Sequence, residues 1–290
     1  MQMKNKKQQN LNEKRIGLIV FRGNLPLEVA NQAKKNGISI HAINIIGYAD
    51  PQSSLATSDW HFIGAIGEII NTLKRENCDS VCFAGQVNRP DFSSLKLDRK
   101  AILELPRVLL AAGKGDDELL RAIVSIFERE GFGVVSPQEI ANSLLAPLGR
   151  VGQLTPSKQD FADMQKAGQI VAAIGKLDVG QGAVVCNGLV LAVEAQEGTN
   201  EMLKRCAALP KEIRGSTAKR SGVLLKLPKP GQDRRVDLPT LGAKTVQLAS
   251  LAGLSGIAFA SGASFLIDQK EMCRLANKEK MFLWGMEPLS

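Results

Sequence analysis

The chain has 290 residues, of which 44% are apolar and 4% aromatic, and it carries a formal net charge of +8. This length favours two domains, the scarcity of aromatic residues argues against stacking platforms for single-stranded nucleic acid, and no run approaches the ~20 apolar residues that span a bilayer. The positive charge favours an anionic partner, and three kinds stay open: nucleic acid, acidic lipid headgroups and a phosphorylated substrate.

The first 14 residues and the cysteines indicate the compartment in which the protein works. Residues 1–14 are polar and basic and lack an apolar core, so they predict a disordered basic tail rather than a signal peptide. The five scattered cysteines are odd in number, which favours a reducing cytosol over a disulfide-linked secreted fold. Two histidines in the whole chain argue against a zinc site.

Residues 15–145 alternate short apolar runs with segments of helical spacing. Strands that alternate with helices predict a mostly parallel sheet, so we expect a Rossmann-like domain here. Its clearest helix begins with Asp116 and Asp117, whose carboxylates favour the positive end of the helix dipole, and Gly131 closes it. The predicted strands are 16–21, 38–46, 80–84 and 133–135, and the predicted helices are 26–37, 64–77 and 116–130.

Residues 146–159 are rich in glycine and proline and predict a linker, and residues 160–290 predict a second α/β domain. The clearest feature of this domain is Asn187-Gly188 between two β-rich runs, which calls for a hairpin with a type I′ turn. Thr240 is expected to cap a helix. The predicted strands are 182–186, 189–194, 223–227, 256–260 and 282–285, and the predicted helices are 160–175, 240–252 and two that begin near 201 and 268.

Residues 222–246, GVLLKLPKPGQDRRVDLPTLGAKTV, combine a short apolar run with a dense group of charged side chains. The run predicts a buried strand, and the prolines and glycines after it predict a rigid, ordered loop. Asp233 and Asp237 suit a magnesium ion shared with phosphates, and Lys229 and Arg235 suit the phosphate oxygens. The alternative is a solvated charged loop between a strand and a helix.

Two further carboxylates, Glu194 and Glu197, lie near a predicted strand end in the same domain. Ligands of open α/β sheets gather outside the carboxyl ends of strands, so these residues together with Asp233 and Asp237 could hold magnesium and a diphosphate. Taken singly, each glutamate is better explained as a surface or capping residue.

The segment GQVNRP, residues 85–90, follows the third predicted strand and is a second candidate site, although an ordinary connection from strand to helix explains it as well. The dinucleotide-binding GxGxxG, the P-loop and the GxSxG elbow are all absent from the sequence. A nicotinamide oxidoreductase, a P-loop kinase and a serine hydrolase of that type therefore lack local support.

Five strings occur together in one order along the chain: GQVNRPDF, GDDELLRAIVSIFEREGFGVV, DVGQGAVV, LAVEAQEGTNEMLKR and KPGQDRRVDLPTLGAKTV. They resemble the UDP-2,3-diacylglucosamine pyrophosphatase family of bacterial lipid A synthesis, of the type with two α/β domains and no metallophosphoesterase motifs. The resemblance covers the chain from Ile16 to Met286, and the last string is its most specific part.

The resemblance implies magnesium-dependent hydrolysis of UDP-2,3-diacylglucosamine to UMP and 2,3-diacylglucosamine 1-phosphate, with the lipid held between the domains and residues 160–290 as the catalytic domain. The family places an essential aspartate in its KPGQD segment, which implies that role for Asp233, with Asp237 as the second choice. Such a carboxylate would ligate magnesium or orient water, while Lys229 and Arg235 would stabilise charge on the bridging phosphates.

The predicted site therefore has three sets of residues, with Mg²⁺ as its cofactor. The catalytic set is Asp233, Asp237 and Lys229, and the metal-binding set is Asp233, Asp237 and Glu194. The substrate-binding set is Gln232, Arg235, Thr199, Glu197, Gln86, Arg89 and Gly23.

The sequence departs from the family pattern at two places. The family's first strand usually ends in AGGG-x-LP, whereas residues 20–26 are VFRGNLP, and the bulky Phe21 and Arg22 would limit close approach of the backbone to a phosphate. The family's EGTD is EGTN at residues 197–200, so Asn200 removes a negative charge. The alternative function is therefore a non-catalytic binding or regulatory protein of the same fold that keeps the pocket for a nucleotide-linked lipid.

We expect a cytoplasmic protein in peripheral contact with the lipid of the inner membrane, because the basic surface suits anionic lipid and substrate. A nucleic-acid-binding protein ranks last among the alternatives, since the chain has neither an aromatic platform nor a basic recognition helix, and nucleic acid is not an expected partner. A homodimer stays open as the oligomeric state.

Overall fold

The computed structural model describes residues 15–51 and 57–287. The chain divides into two compact units. The first unit holds the described residues up to Asn142 together with Asp233–Val236, and the second holds Ser143–Gln232 and the described residues from Asp237 onward. The predicted basic tail, residues 1–14, lies outside the described residues.

The first unit is built on five strands, which are β1 (Arg15–Val20), β2 (Ser39–Ile45), β3 (Ser58–His61), β4 (Ser80–Ala84) and β5 (Gly133–Val134). They form a sheet that is parallel throughout, in the order β3-β2-β1-β4-β5. The central strand β1 is buried from its second residue onward, as its continuous apolar run predicts. The predicted α/β class and the Rossmann-like parallel sheet are confirmed.

The helices of the first unit are α1 (Leu25–Lys35), α2 (Ile66–Arg75), α3 (Arg99–Ala112), α4 (Asp116–Arg129) and α5 (Pro137–Ile140), with a 3-10 turn at Phe92–Ser94. Apolar side chains of the sheet and of helices α2 and α4 share one core, in which Ile43 and Leu73 are fully buried and Phe127 meets Phe83 edge to face. The helical spacing of apolar residues therefore marked the faces of α2 and α4 that cover the sheet.

One strand and two helices of the first unit were not predicted, namely β3, α3 and the four-residue helix α5. Strand β3 lies at the edge of the sheet and is largely half-buried, so it does not need the apolar run by which strands are recognised. Helix α3 contains Pro106 in its interior, where proline normally indicates the end of a helix. It also exposes several of its apolar residues, so its apolar pattern does not mark a buried face.

The second unit contains the strands β6 (Gly149–Arg150), β7 (Gly182–Cys186), β8 (Leu189–Val193), β9 (Val223–Lys226), β10 (Thr240–Leu241), β11 (Gly256–Ala260), β12 (Phe265–Leu266) and β13 (Phe282–Met286). Six of them form a mixed sheet in the order β6-β13-β11-β9-β7-β8, and β10 pairs with β12 in a small parallel sheet. Strand β11 lies parallel to β9 and β13, whereas β7 is antiparallel to both β9 and β8.

The helices of the second unit are α6 (Lys158–Lys176), α7 (Gly198–Ala207), α8 (Ala243–Leu251) and α9 (Gln269–Lys278), with a 3-10 turn at Asn142–Leu144 where the unit begins. Helices α7, α8 and α9 pack on the mixed sheet around fully buried side chains such as Met202 and Phe259. No helix in the described part of the chain is long and apolar enough to cross a membrane.

Three predicted boundaries in the second unit need correction. The segment 146–159 contributes the edge strand β6 and the first residues of α6, so it is part of the unit rather than a linker. Helix α7 begins at Gly198 instead of near 201, which places Thr199 in its first turn. Thr240 lies in β10 and does not cap α8, which begins after Gly242.

The predicted hairpin is confirmed, since β7 and β8 are joined by Asn187 and Gly188 with φ angles of 49° and 78°. Both values lie in the left-handed region that a type I′ turn requires. The buried carboxylate of Asp163 on α6 accepts the two amides of this turn at 2.9 and 2.8 Å, which fixes the hairpin to the helix.

Candidate active site

Three strand ends meet at one edge of the mixed sheet in the second unit. In the antiparallel pairing of β7 with β9, Gly182 at the start of β7 lies opposite Lys226 at the end of β9. Strand β8 ends beside them, because the amide of Glu194 donates to the carbonyl of Gly182 over 2.8 Å. The chain then enters α7, and the side chain of Thr199 in its first turn reaches the same edge.

Glu194, Thr199 and Lys226 form a buried polar group at this edge. Thr199 Oγ1 donates to Glu194 Oε1 at 2.6 Å, Lys226 Nζ donates to Thr199 Oγ1 at 2.7 Å, and Nζ lies 3.8 Å from Glu194 Oε1. The glutamate and lysine side chains are only 7% and 9% exposed, so their charges interact with little screening by water. Glu194 Oε2 is buried without a hydrogen-bond partner among the described residues, which leaves it able to accept a further donor or a cation.

Two glycines of the DVGQGAVV string make room for Glu194. A Cβ atom at Gly182 would lie 2.6 Å from Glu194 Oε2, and one at Gly180 would lie 2.0 Å from the Glu194 carbonyl oxygen. Both distances are shorter than real Cβ contacts, so any larger residue would push the glutamate away from the start of β7. Gly180 and Gly182 of this string therefore allow the carboxylate of Glu194 to lie against the start of β7.

Lys229, Gln232 and Asp237 are joined in a second group within the same unit. The backbone amide of Lys229 donates to Gln232 Oε1 at 3.0 Å, and the side-chain amide of Gln232 donates to Asp237 Oδ2. Lys229 Nζ, which is largely buried, forms an ion pair with Asp178 Oδ1. The sequence analysis missed Asp178, and its position at the start of the DVGQGAVV string is the signal that would have found it.

Asp233 is bound by Arg235 within the first unit. Its Oδ1 accepts from the backbone amide and the Nε of Arg235, each at 3.0 Å, and its Oδ2 accepts from a terminal guanidinium nitrogen at 2.7 Å. Arg235 also donates to Glu128 of α4 at 2.8 Å. The Arg235 guanidinium lowers the pKa of Asp233, and the two carboxylates raise the pKa of Arg235. Asp233 is therefore ionised at neutral pH.

Gly23 and Gln86 lie in two turns that meet at the carboxyl edge of the parallel sheet. The amide of Arg22 donates to the carbonyl of Gln86 at 3.3 Å, and the amide of Gln86 donates back at 2.8 Å, so the turns after β1 and β4 are joined. Gly23 adopts a φ of 97° and donates its amide to Asp50 Oδ2 at 2.9 Å. Both residues therefore lie at the edge of the sheet where ligands of open α/β folds bind.

Arg89 and Glu197 each have a structural partner. Arg89 donates to the carbonyl of Ala112 and lies 3.6 Å from Asp116 Oδ1. Arg205 donates to Glu197 Oε1 at 2.6 Å, and the pKa of Glu197 is lowered first by its own backbone amide and then by this guanidinium. In the described part of the chain, neither residue forms a hydrogen bond or ion pair with another predicted site residue.

One group of three ligand-type side chains, among the residues that the structure describes, brings its donor atoms within 4.8 Å of one another. It consists of His41, Asp59 and Glu76 in the first unit. Arg75 pairs with Asp59 at 3.1 Å and Arg15 pairs with Glu76 at 3.2 Å, so positive charge already neutralises both carboxylates. This arrangement favours an ion-pair network over a metal centre, and none of the predicted metal ligands belongs to it.

Lys226 is the main residue that the sequence analysis missed. Its position in the stretch 222–246 groups it with the charged residues of the loop, whereas the structure places it at the buried end of β9. The available signal was a lysine that closes the apolar run Val223–Leu225, because a charge at the end of a buried strand requires a partner.

The chain matches two family models in succession, the LpxI N-terminal domain over residues 15–144 and the LpxI C-terminal domain over residues 147–284. The chain belongs to the LpxI family. A curated member, the UDP-2,3-diacylglucosamine pyrophosphatase LpxI of Caulobacter vibrioides, is 44% identical over 275 residues, which cover 95% of this chain and 98% of that protein. The family indicated by the five sequence strings is thus confirmed, and the likeness to the LpxI relative is continuous through both units.

Two solved structures show distant similarity to this chain. An N5-carboxyaminoimidazole synthase from Aspergillus clavatus is 11% identical with a TM-score of 0.22, over 66% of this chain and 43% of that one. An epimerase from Methanothermobacter thermautotrophicus is 10% identical with a TM-score of 0.29, over 99% of this chain and 91% of that one.

The two departures from the LpxI pattern have different surroundings. Phe21 packs at the margin of the first unit's core, and its amide donates to the carbonyl of Ala84 at 2.9 Å. Asn200 is exposed in the first turn of α7. Phe21 is therefore part of the sheet edge itself, whereas Asn200 is a change at the surface beside the group of Glu194, Thr199 and Lys226.

Proposed function

We propose that the chain hydrolyses UDP-2,3-diacylglucosamine to UMP and 2,3-diacylglucosamine 1-phosphate. The observation that carries the proposal is the 44% identity to a UDP-2,3-diacylglucosamine pyrophosphatase over nearly the full length of both proteins. The reaction adds water to one phosphorus of the diphosphate, breaks the bond from that phosphorus to the bridging oxygen and releases two phosphomonoesters.

The central loop supplies the residues to which we assign the chemistry. Asp233 is the proposed catalytic carboxylate, with Asp237 as the second choice, and its ionised state suits a group that orients water or holds a cation. Lys229 and Arg235 are proposed to stabilise negative charge on the phosphates, since ammonium and guanidinium groups are strong donors to phosphate oxygens. Gln232 would bind substrate from the same loop.

The substrate-binding set extends beyond this loop. Thr199 is proposed to bind substrate together with Lys226, whose buried ammonium would favour a phosphate oxygen. Gly23 and Gln86 would bind through their backbones at the edge of the parallel sheet. Arg89 and Glu197 are also proposed to bind substrate, for which each would exchange its ion pair with Asp116 or Arg205 for a contact with the substrate.

Magnesium is the proposed cofactor, held by Asp233, Asp237 and Glu194. The donor chemistry fits, because carboxylate oxygens are the ligands that Mg²⁺ prefers, and the unpartnered Oε2 of Glu194 is a buried acceptor that a cation would satisfy. When bound, the ion would neutralise charge on the diphosphate and so favour attack by water.

The test is release of UMP from UDP-2,3-diacylglucosamine by the purified full chain, with magnesium and with excess chelator. Asp233→Asn and Asp237→Asn are compared, because both keep the size of the side chain and remove its charge. We expect Asp233→Asn to lose turnover by at least about a thousandfold while retaining the lipid. Substrate that binds without any UMP release by the unmodified chain would favour the alternative, a non-catalytic lipid-binding protein.

We further propose that the chain works in the cytoplasm in peripheral contact with the inner membrane. A diacylated substrate resides in a bilayer, and a net charge of +8 favours anionic lipid surfaces. Separation of cytoplasmic and membrane fractions at low and high salt would test this location. We expect the protein to be found with the membranes at low salt and to be released from them at high salt.

A further inference from the structure

Helix α3 presents an apolar stripe to solvent. Leu103 and Leu110 are 78% and 72% exposed, and Ile102 and Leu109 are 56% and 44% exposed. With the exposed Pro106 they occupy positions i, i+1, i+4, i+7 and i+8 of the helix, which lie on one side of it. We call these five residues the α3 stripe, and so many large apolar groups on one exposed face mark an interaction surface.

The opposite side of α3 anchors the helix to the first unit. Ala101, Val108 and Ala112 are buried there, and Val108 belongs to the core. Glu104, the one acidic residue of α3, is bound by Arg129 of α4 at 2.7 Å and is mostly buried. The helix therefore has a separate packing face, and no acidic side chain interrupts the stripe.

Basic residues border the stripe. Arg107 and Lys114 line an open cavity of about 390 Å³ between α3 and α4, together with Leu110 from the stripe. Arg121 and Glu118 of α4 also line this cavity and pair with each other at 3.1 Å. Neither Arg107 nor Lys114 forms an ion pair with any residue that the structure describes. Three cations against one carboxylate leave the cavity positively charged.

We propose that α3 docks the chain on an anionic bilayer. The α3 stripe enters the boundary between headgroups and acyl chains, while Arg107 and Lys114 bind lipid phosphates at its margin. The positive charge around the stripe favours anionic lipid over a second copy of the chain. Two copies joined through this face would bring their basic margins together, and like charges repel. This surface deepens the proposed function by giving an enzyme for a lipid substrate a defined contact with the membrane.

The test is sedimentation of the full chain with vesicles of phosphatidylglycerol and phosphatidylcholine that contain no substrate. Leu103→Gln combined with Leu110→Gln replaces the two most exposed residues of the stripe. Leu177→Gln combined with Leu251→Gln is the matched control, because these leucines are as exposed but lie in the second unit. We expect the partition coefficient of the stripe variant to fall about tenfold or more, and that of the control to stay within about twofold.

Charge is tested separately by Arg107→Gln combined with Lys114→Gln, which we expect to weaken binding to anionic vesicles and to remove most of its salt dependence. Equal sedimentation of the stripe variant and the unmodified chain would overturn the proposal. Loss of a dimer by light scattering in the stripe variant, without any loss of vesicle binding, would also overturn it and assign the face to a second copy.

The same variants separate docking from hydrolysis. With substrate dispersed in detergent, the stripe variant should release UMP at the rate of the unmodified chain, whereas with substrate in vesicles its rate should fall. Vesicle binding by a chain that never releases UMP would leave docking intact and remove the proposed function. Normal UMP release together with unchanged vesicle binding by the stripe variant would keep the proposed function and overturn docking through α3.

Discussion

Arg235 binds both carboxylate oxygens of Asp233, with its Nε 3.0 Å from Oδ1 and a terminal nitrogen 2.7 Å from Oδ2. Two parallel hydrogen bonds of this kind hold the carboxylate in one orientation and favour its charged form. The second cation of the loop, Arg234, is exposed and forms no ion pair with a described residue. The neighbouring arginines therefore have separable roles.

Loss of this contact should change the pH dependence of turnover. Because Arg235 lowers the pKa of Asp233, Arg235→Gln should let that pKa rise, so activity that needs the ionised aspartate is lost at a higher pH than in the unmodified chain. We also expect kcat/KM at neutral pH to fall about tenfold. Arg234→Gln is the control, and an unchanged acid limb in Arg235→Gln would contradict the assignment.

Lys226 and Glu194 should depend on each other for stability. Lys226→Met leaves a buried carboxylate without its cation, so we expect it to lower the free energy of unfolding by about 3 kcal/mol. Adding Glu194→Gln removes the uncompensated charge and should restore most of that loss. Denaturant unfolding of both single variants and the double variant measures the coupling. The exposed Lys211→Met serves as the control, and strictly additive losses would argue against a coupled pair.

The ion pairs of Glu130 should stabilise the chain in a defined pH range. Lys100 and Lys74 donate to its carboxylate and lower its pKa from 4.5 to about 2. A group with a lowered pKa stabilises the folded state above its ordinary pKa, and that contribution disappears as the pH falls from about 4.5 towards about 2.

Glu130→Gln should therefore lower Tm by about 2 °C at neutral pH, with a smaller difference at pH 3.5. Thermal unfolding at several pH values measures the difference, and Glu201→Gln, which removes an exposed pair with Lys204, is the control. A difference in Tm that stays constant down to pH 3 would contradict this account.

Removal of magnesium should affect both activity and stability. We expect chelator to abolish UMP release, and saturating magnesium to raise the Tm of the unmodified chain by a few degrees, since a ligand that binds only the folded state stabilises it. Glu194→Gln should show a much smaller rise. An equal rise in both proteins would exclude Glu194 as a ligand whatever the activity shows.

Local chemistry made several features of this chain predictable. The Asn187-Gly188 pair requires two left-handed residues in succession, and the hairpin follows from that requirement. The buried runs of β1 and β9 could be recognised because a strand covered on both faces needs continuous apolar residues. Strand β3 and helix α3 escaped recognition because neither buries a full apolar face, one lying at a sheet edge and the other exposing its stripe.

The candidate site shows the same division. The sequence by itself determined which residue types the central loop carries, and the order of its strings determined the family. Only the tertiary structure decided their partners, because it brings the ends of three strands together from residues far apart in the chain. Lys226 reaches Thr199 across 27 positions of sequence, and Glu194 packs against Gly182 from the neighbouring strand. Lys226 is buried at the end of β9 beside the carboxylate of Glu194. No local sequence pattern specifies that partner, although a buried charge requires one.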